Sequence, residues 1–302
     1  MEIKNSRPKT SSNKKPDTRL TVTEEAELMA FLLAKLPHKS RNNIKTLLRD
    51  KQIFVDDQVV TQYNHPLKPD QKVNVRWDKP PEEQHYRGLS IVFEDDYLIV
   101  INKQEGLLSI ATTKEKIHTA YSILSDHIKK QDPKNRLFIV HRLDRETSGL
   151  MLFAKSERIQ KLLQESWGTT TKERTYLAVT EGPVERPEGV ISSYLHESKA
   201  LIVYSDQNSY NGQRAITHYE TLKSNGYYSL LKVSLETGRK NQVRVHMQDI
   251  GHPIVGDAKY GATIDPIGRL GLHAWVLAFA HPVTREQLRF ETPIPVKFSG
   301  LF

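Results

Sequence analysis

The residues best suited to chemistry in this 302-residue chain lie together in His141-Arg142-Leu143-Asp144-Arg145-Glu146-Thr147-Ser148-Gly149-Leu150. The apolar run Leu137-Phe138-Ile139-Val140 precedes them, and a second, Met151-Leu152-Phe153-Ala154, follows. Two buried strand-like runs around a tight polar loop put one carboxylate, Asp144, among guanidinium groups at a strand end. Loops held by a rigid scaffold are where chemistry concentrates, and an ionised carboxylate in such a place can act as a nucleophile. The same carboxylate could equally cap the turn or close a structural ion pair. The decapeptide alone leaves both readings open.

Other chemistries are poorly supplied. The chain has no cysteine, which removes thiol nucleophiles and thiolate-bound metals. Its histidines are scattered, with no His-x-x-x-His or His-Glu-x-x-His spacing to suggest a metal site. Phosphate-cradling glycine loops and the Gly-x-Ser-x-Gly elbow are missing too, which argues against nucleotide hydrolysis and serine esterase chemistry. The net charge of +8 favours a polyanionic partner, because neutralised phosphates release condensed counterions. No apolar run approaches membrane-spanning length and the first residues lack a signal-peptide core, so a soluble cytoplasmic protein is expected.

The elements that must position Asp144 follow from periodicity and caps. Residues 1–20, rich in Lys, Ser, Asn and Pro, are expected to form a disordered basic tail, with Lys14 and Lys15 free to touch phosphates. Thr21 with Glu24 reads as a capping box opening a helix that carries Leu28, Phe31, Leu32 and Leu36 on one face and ends at Pro37. Ser40 is placed to cap a second helix with Ile44, Leu47 and Leu48 as its apolar face. Arg41, Lys45 and Arg49 are spaced by four, making a basic stripe beside it. Short strands are predicted at 53–55, 59–60 and 73–75.

A Pro-bearing linker, 79–87, separates these from the remainder. Strands are then predicted at 90–93 and 97–101, joined by Glu94-Asp95-Asp96. Ser156 opens a helix with Ile159, Leu162, Leu163 and Trp167 on one side. Further strands centre on 176–180, 200–204 and 229–235. Val243, Met247 and Ile250 share a helical face that Gly251 and Pro253 bring to a stop. Strands outnumber helices, so 88–302 is expected to be an α+β domain on a mixed, largely antiparallel β-sheet. Residues 21–78 form a small separate α/β domain in this reading.

The decapeptide resembles the catalytic signature of RluA-type pseudouridine synthases, which isomerise uridine to pseudouridine within RNA. Further segments fall in that family's order. They are Arg174-Thr175-Tyr176-Leu177-Ala178-Val179, Thr237-Gly238-Arg239-Lys240-Asn241-Gln242-Val243-Arg244-Val245-His246-Met247, and Gly251-His252-Pro253-Ile254-Val255-Gly256-Asp257 with Tyr260-Gly261. Leu272-His273-Ala274 and His281-Pro282 complete the set. The two helices, basic ridge and hairpin of 21–78 resemble the S4 RNA-binding domain.

That resemblance implies a pseudouridine synthase fold and a set of roles. Asp144 is the implied nucleophile, Arg244 its basic partner, and Tyr176 the ring that stacks on the flipped uracil, its hydroxyl a candidate for proton transfer from C5. Arg142 is placed to fill the space the flipped base vacates. Lys39, Arg41, Lys45 and Arg49 are the implied RNA contacts of the S4-like domain. His252, Asp257, Tyr260, His273 and His281 are read as structural. No cofactor or metal is called for.

Three departures stand out: Gln104 replaces the family's proline, Asp56-Asp57-Gln58 replaces its Asn-Gly turn, and Lys240-Asn241-Gln242 replaces Thr-His-Gln. The expected partner is structured RNA, large-subunit ribosomal RNA ahead of transfer RNA, and the expected state a monomer. A noncatalytic RNA-binding or ribosome-assembly factor on the same fold is the main alternative, with a metal-dependent RNA hydrolase behind it.

Overall fold

The computed structural model describes residues 17–56, 58–77, 85–113, 115–165 and 171–302 and separates into two units, Met1–Glu82 and Glu83–Phe302. The expected tail through residue 16, including Lys14 and Lys15, lies outside the described residues, as do Asp57, linker residues 79–84 and Trp167.

In the first unit the described elements run β1 (Thr18–Thr21), β2 (Ala26–Glu27), α1 (Leu28–Lys35), α2 (Arg41–Arg49), β3 (Ile53–Val55), β4 (Gln58–Val59), β5 (Pro66–Leu67) and β6 (Lys72–Val75). Strands β1, β6, β3 and β4 make one antiparallel sheet in that order, and β2 pairs with β5. Leu28, Phe31, Leu32 and Leu36 pack with Ile44, Leu48, Ile53 and Val73 in its core, each fully buried aliphatic contributing about 1.5–3 kcal/mol. Ser40 caps α2 as expected: its Oγ accepts from Asn43 N at 3.2 Å and its own N–H reaches Asn43 Oδ1 at 3.1 Å.

Two expectations for this unit are corrected. Thr21 does not open a helix; it closes β1, opposite Lys72, and α1 starts only at Leu28, after Glu27, whose side chain makes no cap bond. The physical reason is non-local. Val22 is buried in the core and Leu20 packs against it, and the extended backbone satisfies its polar groups on β6. For the same reason residues 18–20 are not part of a disordered tail, since Thr18, Arg19 and Leu20 pair with Val75, Asn74 and Val73.

The second unit contains β7 (His85–Tyr86), β8 (Leu89–Glu94), β9 (Leu98–Lys103), α3 (Ala120–Gln131), β10 (Phe138–Ile139), β11 (Ser148–Ala154), α4 (Glu157–Glu165), β12 (Thr171–Glu181), β13 (Glu188–Glu197), β14 (Val203–Asp206), β15 (Gln213–Ser224), β16 (Tyr228–Leu235), α5 (Gln242–Asp249), β17 (Leu272–Ala280), β18 (Gln287–Glu291) and α6 (Val296–Ser299). Its described strands join one sheet, ordered β14-β13-β15-β16-β12-β17-β11-β9-β8-β7, with β10 on β11 and β18 on β17. Among the described strands only the β11–β17 pairing is parallel. The fold is therefore the expected α+β, mixed and largely antiparallel.

Alternation along β11 explains the layering. Met151 and Phe153 pack with Ala120, Leu124 and Ile128 of α3, while Leu150 and Leu152 pack with Ile159 and Leu163 of α4. At the far half of the sheet, Val243 and Met247 of α5 pack on Ala178, Leu231, Val233 and Leu272. Smaller expectations shift here too. Tyr86, inside the expected linker, pairs with Leu89 and packs on the core. Leu162 is exposed, because the buried stripe of α4 is only Ile159 and Leu163. Strand β14 begins at Val203 rather than 200, after a turn in which Leu201 takes φ 61°.

Candidate active site

The loop between β10 and β11 is held from several sides. Phe138 and Ile139 pair with Ala154 and Phe153, closing the loop at its base. Leu143 is buried; its carbonyl accepts from Ser109 Oγ at 2.6 Å and its N–H reaches the same hydroxyl at 3.2 Å. Beneath the loop lies Lys103, fully buried, whose Nζ donates to the carbonyls of Leu107, Gln104 and Arg145 at 2.8, 3.1 and 3.2 Å. Burial pulls its pKa down to about 8, against the attraction of Asp144 and Glu146. Gly149 lies at φ 113°, and a Cβ there would sit 2.1 Å from the Ala274 carbonyl oxygen. The parallel approach of β11 to β17 thus requires glycine at that position.

Asp144 opens from this loop into a cavity of about 700 Å³, whose wall includes Arg142, Arg174, Tyr176, Arg239, Asn241 and Arg244. Its side chain retains 28% exposure. Two donors approach its Oδ2: Asn241 Nδ2 at 2.8 Å and Arg244 Nη1 at 3.6 Å. Both come from the start of α5. Arg244 is itself held by Asp257, through Nε to Oδ2 at 2.7 Å and Nη2 to Oδ1 at 2.6 Å, and lies over the Tyr260 ring at 4.9 Å. Burial works against the Arg244 charge, but the Asp257 hydrogen bonds and charge, with Asp144 and Glu146 adding, leave its pKa raised.

The α5 segment is pinned so that these donors keep their aim. Gln242 is buried and donates to Ile216 O and Thr217 Oγ1, both at 2.9 Å. Its Oε1 accepts from Thr237 Oγ1 at 2.8 Å and from Arg239 N at 3.0 Å. His246 sits between Ser193 Oγ at 3.0 Å and Thr217 Oγ1 at 2.8 Å. Such a fully satisfied polar network fixes one geometry.

Tyr176 reaches the cavity from β12. Burial pushes its phenol up to about 12, opposed by the Arg174 charge and assisted by that of Asp144. Its hydroxyl bonds no described residue. Arg174 is tied to the carbonyls of Leu235 and Glu236 at 3.3 and 2.8 Å. Gly238 leaves room for it, since a Cβ there would lie 2.8 Å from Nη1. Arg142 is exposed at the cavity wall and pairs with no described residue.

The structure therefore brings Asp144, Arg244, Tyr176 and Arg142 to one cavity. Asp257, read as structural, proves to be the clamp on Arg244. Asn241 and Lys103 were missed as contributors to the site. The signal for Asn241 was its position three residues before Arg244 on a helix start, which puts both side chains within reach of one point. The structural reading of His273 agrees with its place between Ser148 Oγ and Thr292 Oγ1, each at 2.7 Å.

In the first unit, Arg41, Lys45 and Arg49 are exposed along α2, with Arg49 beside Asp50 at 2.9 Å. Lys39 is half-buried, its Nζ 4.9 Å from the Trp77 ring centroid.

Comparison with known proteins puts these two units in familiar company. The RNA pseudouridylate synthase family profile matches residues 97–249, and the S4 domain profile matches residues 28–73. An uncharacterised RNA pseudouridine synthase of Mycoplasma pneumoniae is 32% identical, with 92% of each chain covered. The ribosomal large subunit pseudouridine synthase D of Nitrosomonas europaea is 33% identical over 88% of this chain and 80% of its own. Among solved structures, human RNA pseudouridylate synthase domain containing 4 superposes with a TM-score of 0.58 at 27% identity, covering 70% of this chain and 90% of that one. A profile spanning half the chain and relatives matched nearly end to end leave one conclusion: this chain belongs to the RNA pseudouridine synthases, isomerases that convert uridine in RNA to pseudouridine, and carries an S4 domain ahead of its catalytic unit.

Proposed function

We propose that this enzyme acts on large-subunit ribosomal RNA, flipping a uridine out of its stack and attacking it with Asp144. The observation that carries the proposal is the Asp144 carboxylate, open to a cavity and approached on one oxygen by Asn241 and Arg244. A carboxylate so placed is held on one oxygen while remaining accessible, as a nucleophile must be.

The reaction breaks the N1–C1′ bond, turns the base and joins C5 to C1′. C5 gives up a proton and N1 gains one, so no redox partner or external group is needed. Attack by Asp144 at C6 of the base, or at C1′ as the base departs, both use the same ionised oxygen. Tyr176, which lines the cavity, supplies a ring for stacking and a hydroxyl as the candidate proton carrier at C5. A uridine within folded RNA must leave its stack to reach the carboxylate, and Arg142 offers a planar group to fill the gap.

The ribosomal assignment rests on relatives named for the large subunit and on an S4 domain bearing the exposed stripe Arg41, Lys45 and Arg49 on α2, with Lys39 just ahead of it. It would put the enzyme in the cytoplasm with the ribosome. One chain supplies Asp144, Asn241, Arg244 and Tyr176, so a monomer suffices.

The test maps pseudouridines in RNA from cells lacking the gene, complemented with wild type or Asp144→Asn. A large-subunit site lost on deletion and restored only by wild type is the expected result. Restoration by Asp144→Asn would remove the nucleophile, and a responding site in transfer RNA would move the substrate.

A further inference from the structure

We propose that Asn241 is a positioning residue for Asp144: its amide fixes Oδ2 of the carboxylate so that Oδ1 is the atom presented for reaction. The inference rests on the reading of Asp144 as nucleophile. Both donors, Asn241 Nδ2 at 2.8 Å and Arg244 Nη1 at 3.6 Å, converge on Oδ2. No described residue donates to Oδ1. A carboxylate gripped on one oxygen cannot spin to exchange the two, so the reactive lone pairs keep a defined direction.

The backbone shows that Asn241 is diverted to this task. It is the residue that starts α5, yet its side chain makes no capping bond to the helix. Asparagine in that position ordinarily turns back to satisfy an orphan N–H of the first turn. Here φ is 55° and ψ 17°, the left-handed region that asparagine tolerates better than most residues. That conformation sends the amide across to a residue 97 positions earlier.

The amide oxygen is buried with no partner among the described residues, so the group is held there for its N–H side. Turning it over would set oxygen against oxygen. Gln242, with all four of its polar contacts made, keeps the turn rigid. Neither an amide nor a guanidinium changes charge near neutral pH, so this grip is independent of pH there.

Two variants separate positioning from mere structure. Asn241→Gly keeps the left-handed backbone and deletes the donor. Asn241→Asp keeps the shape and replaces the donor with a second carboxylate. Single-turnover assays use unmodified large-subunit ribosomal RNA transcript, with melting curves to count folded enzyme. For Asn241→Gly the rate per folded molecule should fall by about 100-fold while KM for RNA stays within about twofold. Asn241→Asp should gain a pH dependence that wild type lacks, its rate declining as the carboxylate pair loses its shared proton.

A purely structural Asn241 would lower the melting temperature and leave rate and pH profile unchanged, and that result overturns the inference. Asp144→Asn run alongside distinguishes the two failures. If it turns over, the nucleophile reading falls; if it is dead while both Asn241 variants match wild type, only the positioning role falls.

Discussion

Arg244 gives its two shortest hydrogen bonds, 2.7 and 2.6 Å, to Asp257 and stands 3.6 Å from Asp144. The guanidinium is clamped by one buried carboxylate and so attracts the second without closing on it. A guanidinium held this way stays beside Asp144 yet leaves that carboxylate open to the cavity.

Asp257→Ala should therefore damage both fold and chemistry. Removing one partner of a buried ion pair strands the other, at a cost of about 3–5 kcal/mol. Urea unfolding would register that loss, and pseudouridine formation per folded molecule should fall as Arg244 swings onto Asp144. Unchanged stability would mean that the pair is better solvated than its burial indicates.

Tyr176→Phe keeps the ring and deletes a hydroxyl that bonds no described residue. RNA affinity should hold, while kcat drops by about 100-fold or more if the hydroxyl carries a proton. With its phenol at about 12, Tyr176 stays protonated through pH 10, so it contributes no alkaline limb below that pH. Tyr176→Ala should in addition weaken binding by about 1–3 kcal/mol, the value of one base stacked on an aromatic ring. Equal KM values for the Phe and Ala variants would rule out stacking.

Acid lability should follow from buried histidines. Burial lowers His246 and His273 to about 4, with the Arg269 charge assisting at His273. Between about pH 6.5 and 4 the unfolded chain binds protons that the folded chain refuses, so stability falls as pH falls, by up to about 1.4 kcal/mol per pH unit for each group. The stabilisation is fully present above pH 6.5. Urea midpoints at pH 7 and pH 5 measure this, and His246→Gln should flatten the slope. An identical slope in that variant would assign the lability to other groups.

Replacing Arg41, Lys45 and Arg49 together with Gln should weaken RNA binding and make log K against log salt shallower by about 2–3. The chemical step at saturating RNA should be spared. Their side chains are exposed on α2, so the change leaves the core intact, and filter binding at several salt concentrations reads the slope directly. An unaltered slope would take the stripe off the RNA.

Much of this protein was legible in the chain itself. The apolar runs flanking residues 141–150 announced strands because a strand covered on both faces reads as a short unbroken apolar run. Ser40 announced α2 because a cap involves only residues three apart. Asp144, Tyr176 and Arg244 could be named because their motifs are contiguous. Where a judgement needed a distant partner, local pattern misled. Thr21 and Glu24 look like a capping box, yet residues 18–21 are strand because β6, more than fifty residues later, accepts them.

The site's finer chemistry belongs to that second kind. That Asn241 grips Asp144, that Asp257 clamps Arg244, and that Gly149 must lie bare against Ala274 are facts about side chains that meet only when the sheet has formed. Composition and spacing determined which groups were available. Only tertiary packing decided which oxygen of Asp144 is held and which is left free, because hydrogen-bond direction is set by where the backbone of α5 comes to rest.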